Sequence, residues 1–146
     1  MAEQGPQAVV VWTLDEHRYG LGVAAVERVF PAVAIDPLPR APHLVCGSVN
    51  LRGQVVAVVN MRRCLKLPER EPVPSDRLLL AITPRRRLAF FVDAVEGVEE
   101  CPAIEQQGTP GAARTAGMVE LSDGLMLIDD LEDLLSLADD VCLIRD

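Results

Sequence analysis

The chain has 146 residues, 49% hydrophobic and 25% charged, which supports one unit with a real core, is short for two independent ones, and excludes a disordered chain. Fourteen basic residues against twenty-two acidic ones leave a net charge of −8, so phosphate backbones and anionic lipid surfaces are repelled and nucleic acid is not an expected partner. Aromatic residues make up only 3%, so valine, leucine, alanine and isoleucine must build the core.

In chain order, Val9 to Leu14 reads as a strand, Asp15 to His17 as a turn, and Arg18 to Val23 as the returning strand. Val26 to Phe30 continues the apolar pattern as far as Pro31. Ile35 to Pro42 carries three prolines, each lacking the N–H that a ladder needs, so an extended surface connection is expected there. Gly47 to Leu51 and Gln54 to Val59 form a hairpin around Arg52-Gly53, where glycine supplies the positive φ of a tight turn. Pro68 to Ser75 reads as a joint. Beyond it, Leu78 to Thr83, Leu88 to Val92, Val95 to Glu99, Met118 to Leu121 and Leu125 to Ile128 read as strands, with Ser122-Asp123-Gly124 as the last turn and Glu105 to Thr115 as a mobile loop. Asp129 or Asp130 can cap a closing helix that carries Leu131, Leu134, Leu135 and Ala138 on one face.

The two halves repeat each other. Val23-Ala24-Ala25-Val26-Glu27-Arg28-Val29 returns as Val92-Asp93-Ala94-Val95-Glu96-Gly97-Val98, a shift of 69 residues from Val23 to Val92 that also lays Val9 to Val11 on Leu78 to Leu80. Gly47 to Leu51 returns as Gly117 to Leu121 at a shift of 70, a register that pairs Asn60-Met61 with Asp130-Leu131. Repeated blocks in constant order indicate an internal duplication. The fold class that follows is mostly β: two small, strongly curved sheets or barrels sharing an interface, with a short C-terminal helix. One domain over residues 8–137 is expected, with subdomains at about 8–67 and 78–137 and terminal extensions at 1–7 and 138–146.

The inventory for chemistry is thin. His17 and His43 are the only histidines, and neither sits in a recognisable catalytic motif. Cys46 lies close enough to His43 in sequence to raise a Cys/His enzyme as a remote alternative. Cys46, Cys64, Cys101 and Cys142 lack any C-x-x-C pair, which fits reduced thiols rather than a disulfide frame or a metal site. No phosphate-cradling or nucleophile-elbow motif is present, so no catalytic residue, cofactor or metal is expected. Arg85-Arg86-Arg87 reads as a solvated hairpin tip. Residues 1–5 lack a basic stretch leading into an apolar run, and no apolar segment approaches the ~20 residues of a spanning helix. A cytoplasmic protein without direct membrane insertion is expected.

Gly47-Ser48-Val49-Asn50-Leu51-Arg52-Gly53, followed by an apolar strand and Asn60-Met61-Arg62, resembles the G-x-x-N-L-R-G signature and D-L-R-like segment of the CheW family, the coupling proteins of bacterial chemotaxis. Ile35 to Pro39, the Val92-Asp93-x-Val95 segment and the Gly117 to Leu131 stretch also fit that family, and the resemblance spans roughly residues 8 to 137. It implies two intertwined five-stranded SH3-like barrels and no enzymatic activity. The implied partners are the regulatory domain of a CheA-type histidine kinase and the cytoplasmic tip of a methyl-accepting chemoreceptor, so that the protein reaches receptor arrays through its partners. An adaptor of a non-flagellar chemosensory pathway, for pili, surface sensing or development, is the alternative. Carried over residue by residue, the kinase- or receptor-binding set is Val26, Gly47, Asn50, Leu51, Arg52, Gly53, Val92, Val95 and Val98. The four valines would line a groove between the barrels, where a receptor helix could lie. Arg52 would contact a partner or lock its hairpin through a carboxylate. Two departures stand out: Arg28 occupies a position where relatives carry a glutamate, and Asn60-Met61 replaces the usual Asp-Leu.

Overall fold

The computed structural model describes residues 7–38, 43–101, 114–115, 117–121 and 123–138. The distal parts of both terminal extensions, Pro39 to Pro42 of the proline-rich connection, residues 105–113 of the expected loop, and Cys142 lie outside the described residues. Strands β1 (Gln7–Leu14), β2 (His17–Gly22), β3 (Val26–Pro31), β4 (Val45–Leu51) and β5 (Gln54–Val59) come from the first half. The second half supplies β6 (Arg77–Ile82), β7 (Arg87–Val92), β8 (Ala94–Cys101), β9 (Arg114–Thr115), β10 (Met118–Glu120) and β11 (Met126–Ile128). A short helix α1 (Met61–Cys64) follows β5, and α2 (Leu131–Ala138) follows β11.

These strands form two sheets, a six-stranded one in the order β8-β1-β2-β11-β10-β9 and a five-stranded one in the order β3-β6-β7-β5-β4. Each sheet takes strands from both halves: the β1–β2 hairpin inserts among second-half strands, and the β6–β7 hairpin among first-half strands. The duplication is legible in this exchange, because β3, β6, β7, β5 and β4 occupy the places that β8, β1, β2, β11 and β10 occupy in the other sheet. Even the irregularities repeat. Val26 faces Ala81 and Arg28 faces Leu80, with Glu27 bulged between them; Val95 faces Trp12 and Gly97 faces Val11, with Glu96 bulged between them. Both sheets also contain one parallel contact, β5 with β7 and β11 with β2. The added strand β9 falls at the end of the segment expected to be a loop, where residues 114 and 115 pair with 119 and 118.

The exchange dictates where the core lies. On one face of each strand, Val10, Trp12, Leu14, Tyr19 and Leu21 of the six-stranded sheet meet Leu79, Ala81, Leu88, Phe90 and Val92 of the five-stranded sheet. Met61 of α1 and Leu131, Leu134 and Leu135 of α2 close this shared core. Trp12 stacks on Tyr19 with ring centroids 4.8 Å apart and meets Phe90 at 5.2 Å. The opposite faces hold two smaller clusters, one built on Val9, Val11 and Leu127 and the other on Val49, Val58 and Leu78. Neither sheet can therefore be removed without exposing the largest apolar surface of the other.

Candidate functional site

The signature hairpin is a two-residue turn in which Arg52 and Gly53 both adopt left-handed backbone, with φ of 56° and 88°, the geometry that matches strand twist. Asn50 Oδ1 accepts a hydrogen bond from Gly53 N at 2.8 Å and locks the turn. Leu51 is buried among Val49, Val56 and Val58. Gly47 packs where an added Cβ would lie 2.5 Å from the Asp36 carbonyl oxygen. That contact exists because the proline-rich connection is not wholly free: Asp36 and Ser48 exchange backbone hydrogen bonds of 2.8 and 2.9 Å. Arg52 is exposed and makes no ion pair among the described residues, so the expected carboxylate lock is replaced by Asn50.

The four valines separate. Val26 and Val95, equivalent positions on the edge strands β3 and β8, are half-buried against the shared core. Val98 faces Val10 across the ladder, so it lies on that same core-facing side, yet it is 63% exposed. Val92 is fully buried within the core and offers no surface to a partner. Three of the expected residues thus sit along edge-strand margins of the inter-sheet core, while the fourth is packing.

A cleft of about 500 Å³ opens where the chain from Glu69 to Asp76 crosses the junction of the sheets. Asp93 is its hub. Its Oδ1 accepts from Arg62 Nη2 and Arg70 Nη2, each at 2.7 Å, its Oδ2 accepts from Asp15 N at 2.8 Å, and its own N–H donates to Thr13 O at 2.9 Å. Arg70 also grips Asp76 with two hydrogen bonds of 2.9 and 3.0 Å, while Arg63 grips Glu69 at 2.8 and 3.0 Å. Burial by itself would raise the Asp76 pKa, but the Arg70 hydrogen bonds, the Val73 amide and the Arg70 and Arg62 charges prevail and hold it below the usual carboxylate value. The cations in the cleft are already neutralised, so the arrangement fastens the joint rather than presenting charge. Sequence reasoning placed Asp93 and Arg62 in separate motifs and missed their pairing; the signal available was an Asp and an Arg in two motif segments with no assigned role.

The Cys46/His43 alternative finds no support in the geometry. Cys46 Sγ donates to Val58 O at 3.4 Å, and burial pushes its thiol pKa up, the opposite of an activated nucleophile. No group of three potential metal ligands occurs among the described residues, and none of their helices is long and apolar enough to cross a membrane. The basic run is less solvated than expected. Arg87 Nε donates to Glu27 Oε1 at 2.7 Å, and Arg86 lies 3.1 Å from Glu132 as an ion pair without a hydrogen bond.

Among the described residues the arrangement is a double sheet with edge strands, an exposed arginine turn and a fastened joint. The comparisons agree with that character. Residues 8–139 match the model of the CheW-like domain. The chain is 26% identical to the chemotaxis protein CheW of Thermotoga maritima over 87% of this chain and 86% of that one. It is 28% identical to protein FrzA of Myxococcus xanthus over 80% and 76%. The crystal structure of the scaffolding protein TtCheW from Thermoanaerobacter tengcongensis superimposes with a TM-score of 0.72 at 26% identity, covering 88% of this chain and 92% of that one.

Proposed function

The chain belongs to the CheW-like domain family, and from that membership we propose that it acts as a non-catalytic adaptor that couples a CheA-type histidine kinase to chemoreceptors. It is a chemotaxis scaffold in the sense of its named relatives. The carrying observation is the family match over nearly the whole chain, joined to a duplicated double sheet whose rigid edges suit holding rather than chemistry. The kinase contact is its regulatory domain and the receptor contact its cytoplasmic tip, with the array at the inner membrane face reached through those partners. Val26, Val95 and Val98 form the apolar margin for a receptor helix, and the Asn50-to-Gly53 turn is the second contact. Binding of the purified chain to each partner, measured separately by titration calorimetry, tests this; absence of both complexes at tens of micromolar would reject it.

A second reading, a coupler in a non-flagellar chemosensory pathway, is favoured by the likeness to FrzA, a relative not named as a chemotaxis protein, and by the Arg28 departure. It shares the mechanism and differs only in the receptor and kinase served.

A further inference from the structure

The duplication supplies an internal control, because one fold position is built twice and a feature that folding demands should appear twice. At one end of the five-stranded sheet, the start of β3, the β4–β5 turn and the β6–β7 turn come together, tied by Arg87, which bonds both Glu27 at 2.7 Å and Gln54 at 3.3 Å. At the equivalent end of the six-stranded sheet, Arg18 bonds Glu96 at 3.2 Å. Arg87 and Glu27 are the repeat equivalents of Arg18 and Glu96, so this ion pair across the bulged strand belongs to the fold.

The surrounding charges do not repeat. The first end carries Arg28, Arg52 and Arg85, whose counterparts in the repeat register are Gly97, Ser122 and Glu16. Glu16, Glu120 and Asp123 line a shallow depression there together with His17 and Arg18. The same repeat positions carry no cation there, so folding does not explain the three arginines. They are also uncommitted: all three are exposed, and none forms an ion pair among the described residues. Arg28 is held over the Phe30 ring at 5.7 Å, which limits its motion while leaving its charge outward. Arg52 stands at the tip of its hairpin, in the left-handed backbone that the two-residue turn requires, at φ 56°.

We propose that this end of the five-stranded sheet is the docking surface for an acidic segment of a protein partner, one that places carboxylates on Arg28, Arg52 and Arg85. This rests on the adaptor reading and adds the chemistry of the partner. Exposed, unpaired cations complement such a segment, and in a chain of net charge −8 a concentration of unpaired cations at one end orients the approach. A second copy of this chain is the less suited occupant, since two such anions repel.

The test compares the parent, the Arg28→Glu/Arg52→Glu double variant and the Glu16→Lys/Asp123→Lys double variant, each against the kinase regulatory domain and the receptor tip at low and high salt. Circular dichroism and the unfolding midpoint establish that each variant is folded. The expected result is a loss of about tenfold or more toward one partner for the arginine variant at low salt, shrinking at high salt, with little loss for the other variant. Equal affinities for the parent and the folded arginine variant overturn the docking assignment and leave the adaptor reading standing. Failure of the parent to bind either partner overturns both. A loss confined to self-association or to a single-stranded DNA probe also overturns the assignment, because the occupant would then be another copy or a nucleic acid.

Discussion

Arg62 Nη2 donates to Asp93 Oδ1 across 2.7 Å, joining the start of α1 to the β7–β8 corner although the residues stand 31 positions apart. Arg70 reaches the same oxygen, so one carboxylate fastens α1 and the joint between the repeats. Asp93→Ala leaves two guanidinium groups and the Asp15 amide without their acceptor. A loss of about 2 kcal/mol in stability is expected from these charge-assisted bonds, read as a lower urea midpoint, with Asp93→Asn falling between. An unchanged midpoint for Asp93→Ala would mean that the network is ornamental to stability.

The shared core predicts that the two sheets unfold together. Trp12 is the only tryptophan and is fully buried between Tyr19 and Phe90, so its fluorescence reports the inter-sheet core while far-ultraviolet circular dichroism reports both sheets. Coincident denaturant transitions are expected. Trp12→Ala should cost about 3–5 kcal/mol, with the loss moderated because the Trp12 Nε1–H finds no hydrogen-bond partner among the described residues. Two separated transitions would show sheets that are independently stable.

Two glycines with positive φ should respond differently to alanine. At Gly53, φ 88°, an added Cβ meets open space, so only the backbone cost of about 1–2 kcal/mol applies. At Gly117, φ 84°, the Cβ would collide with Asp130 O and with Leu134 N at 2.9 Å. Those atoms belong to the start of α2, so Gly117→Ala must displace the helix that closes the core. The thermal midpoint should fall further for Gly117→Ala than for Gly53→Ala; the reverse order would contradict this packing.

Asp76 and Cys64 predict losses of stability at opposite ends of the pH scale. The folded Asp76 pKa lies below its ordinary 3.8, so its contribution is complete above that unfolded value and is lost as pH falls through the lower folded one. Asp76→Asn should be less stable than the parent at pH 7, with the difference shrinking below about pH 4. Burial pushes the Cys64 thiol from 9.0 to about 12, so its contribution is complete below pH 9 and is lost as pH rises toward 12. Cys64→Val should lose less stability than the parent across that alkaline window. Urea midpoints across pH read both, and differences that do not vary with pH would contradict the assignments.

Much of the fold is legible in the sequence because the duplication is written in side chains that alternate on strands. Val9 to Val11 and Leu78 to Leu80 announce equivalent strands, and the register that pairs Asn60 with Asp130 falls on two helix caps in the structure, where Asn60 accepts from Arg63 N and Asp130 from Asp133 N. The exchange of hairpins between sheets is not legible in the alternation, which assigns a strand its faces and not its neighbours; only the family resemblance implies intertwined barrels. Helix α1, only Met61 to Cys64, is too short to show a helical period. Val92 illustrates the limit for sites: on a β-strand the same valine pattern marks a core wall and an exposed margin, and only the position of the second sheet tells them apart. Asp93 was invisible as a hub because its partners Arg62 and Arg70 come from other segments.

The central claim is that this chain couples two proteins, and the most direct measurement is a three-component co-sedimentation. Receptor cytoplasmic fragments assembled on vesicles are mixed with the kinase, with and without the chain. The account predicts that kinase sediments with receptor in proportion to added chain and that Val95→Asp, folded, weakens the receptor arm. Equal kinase recovery with and without the chain would contradict it.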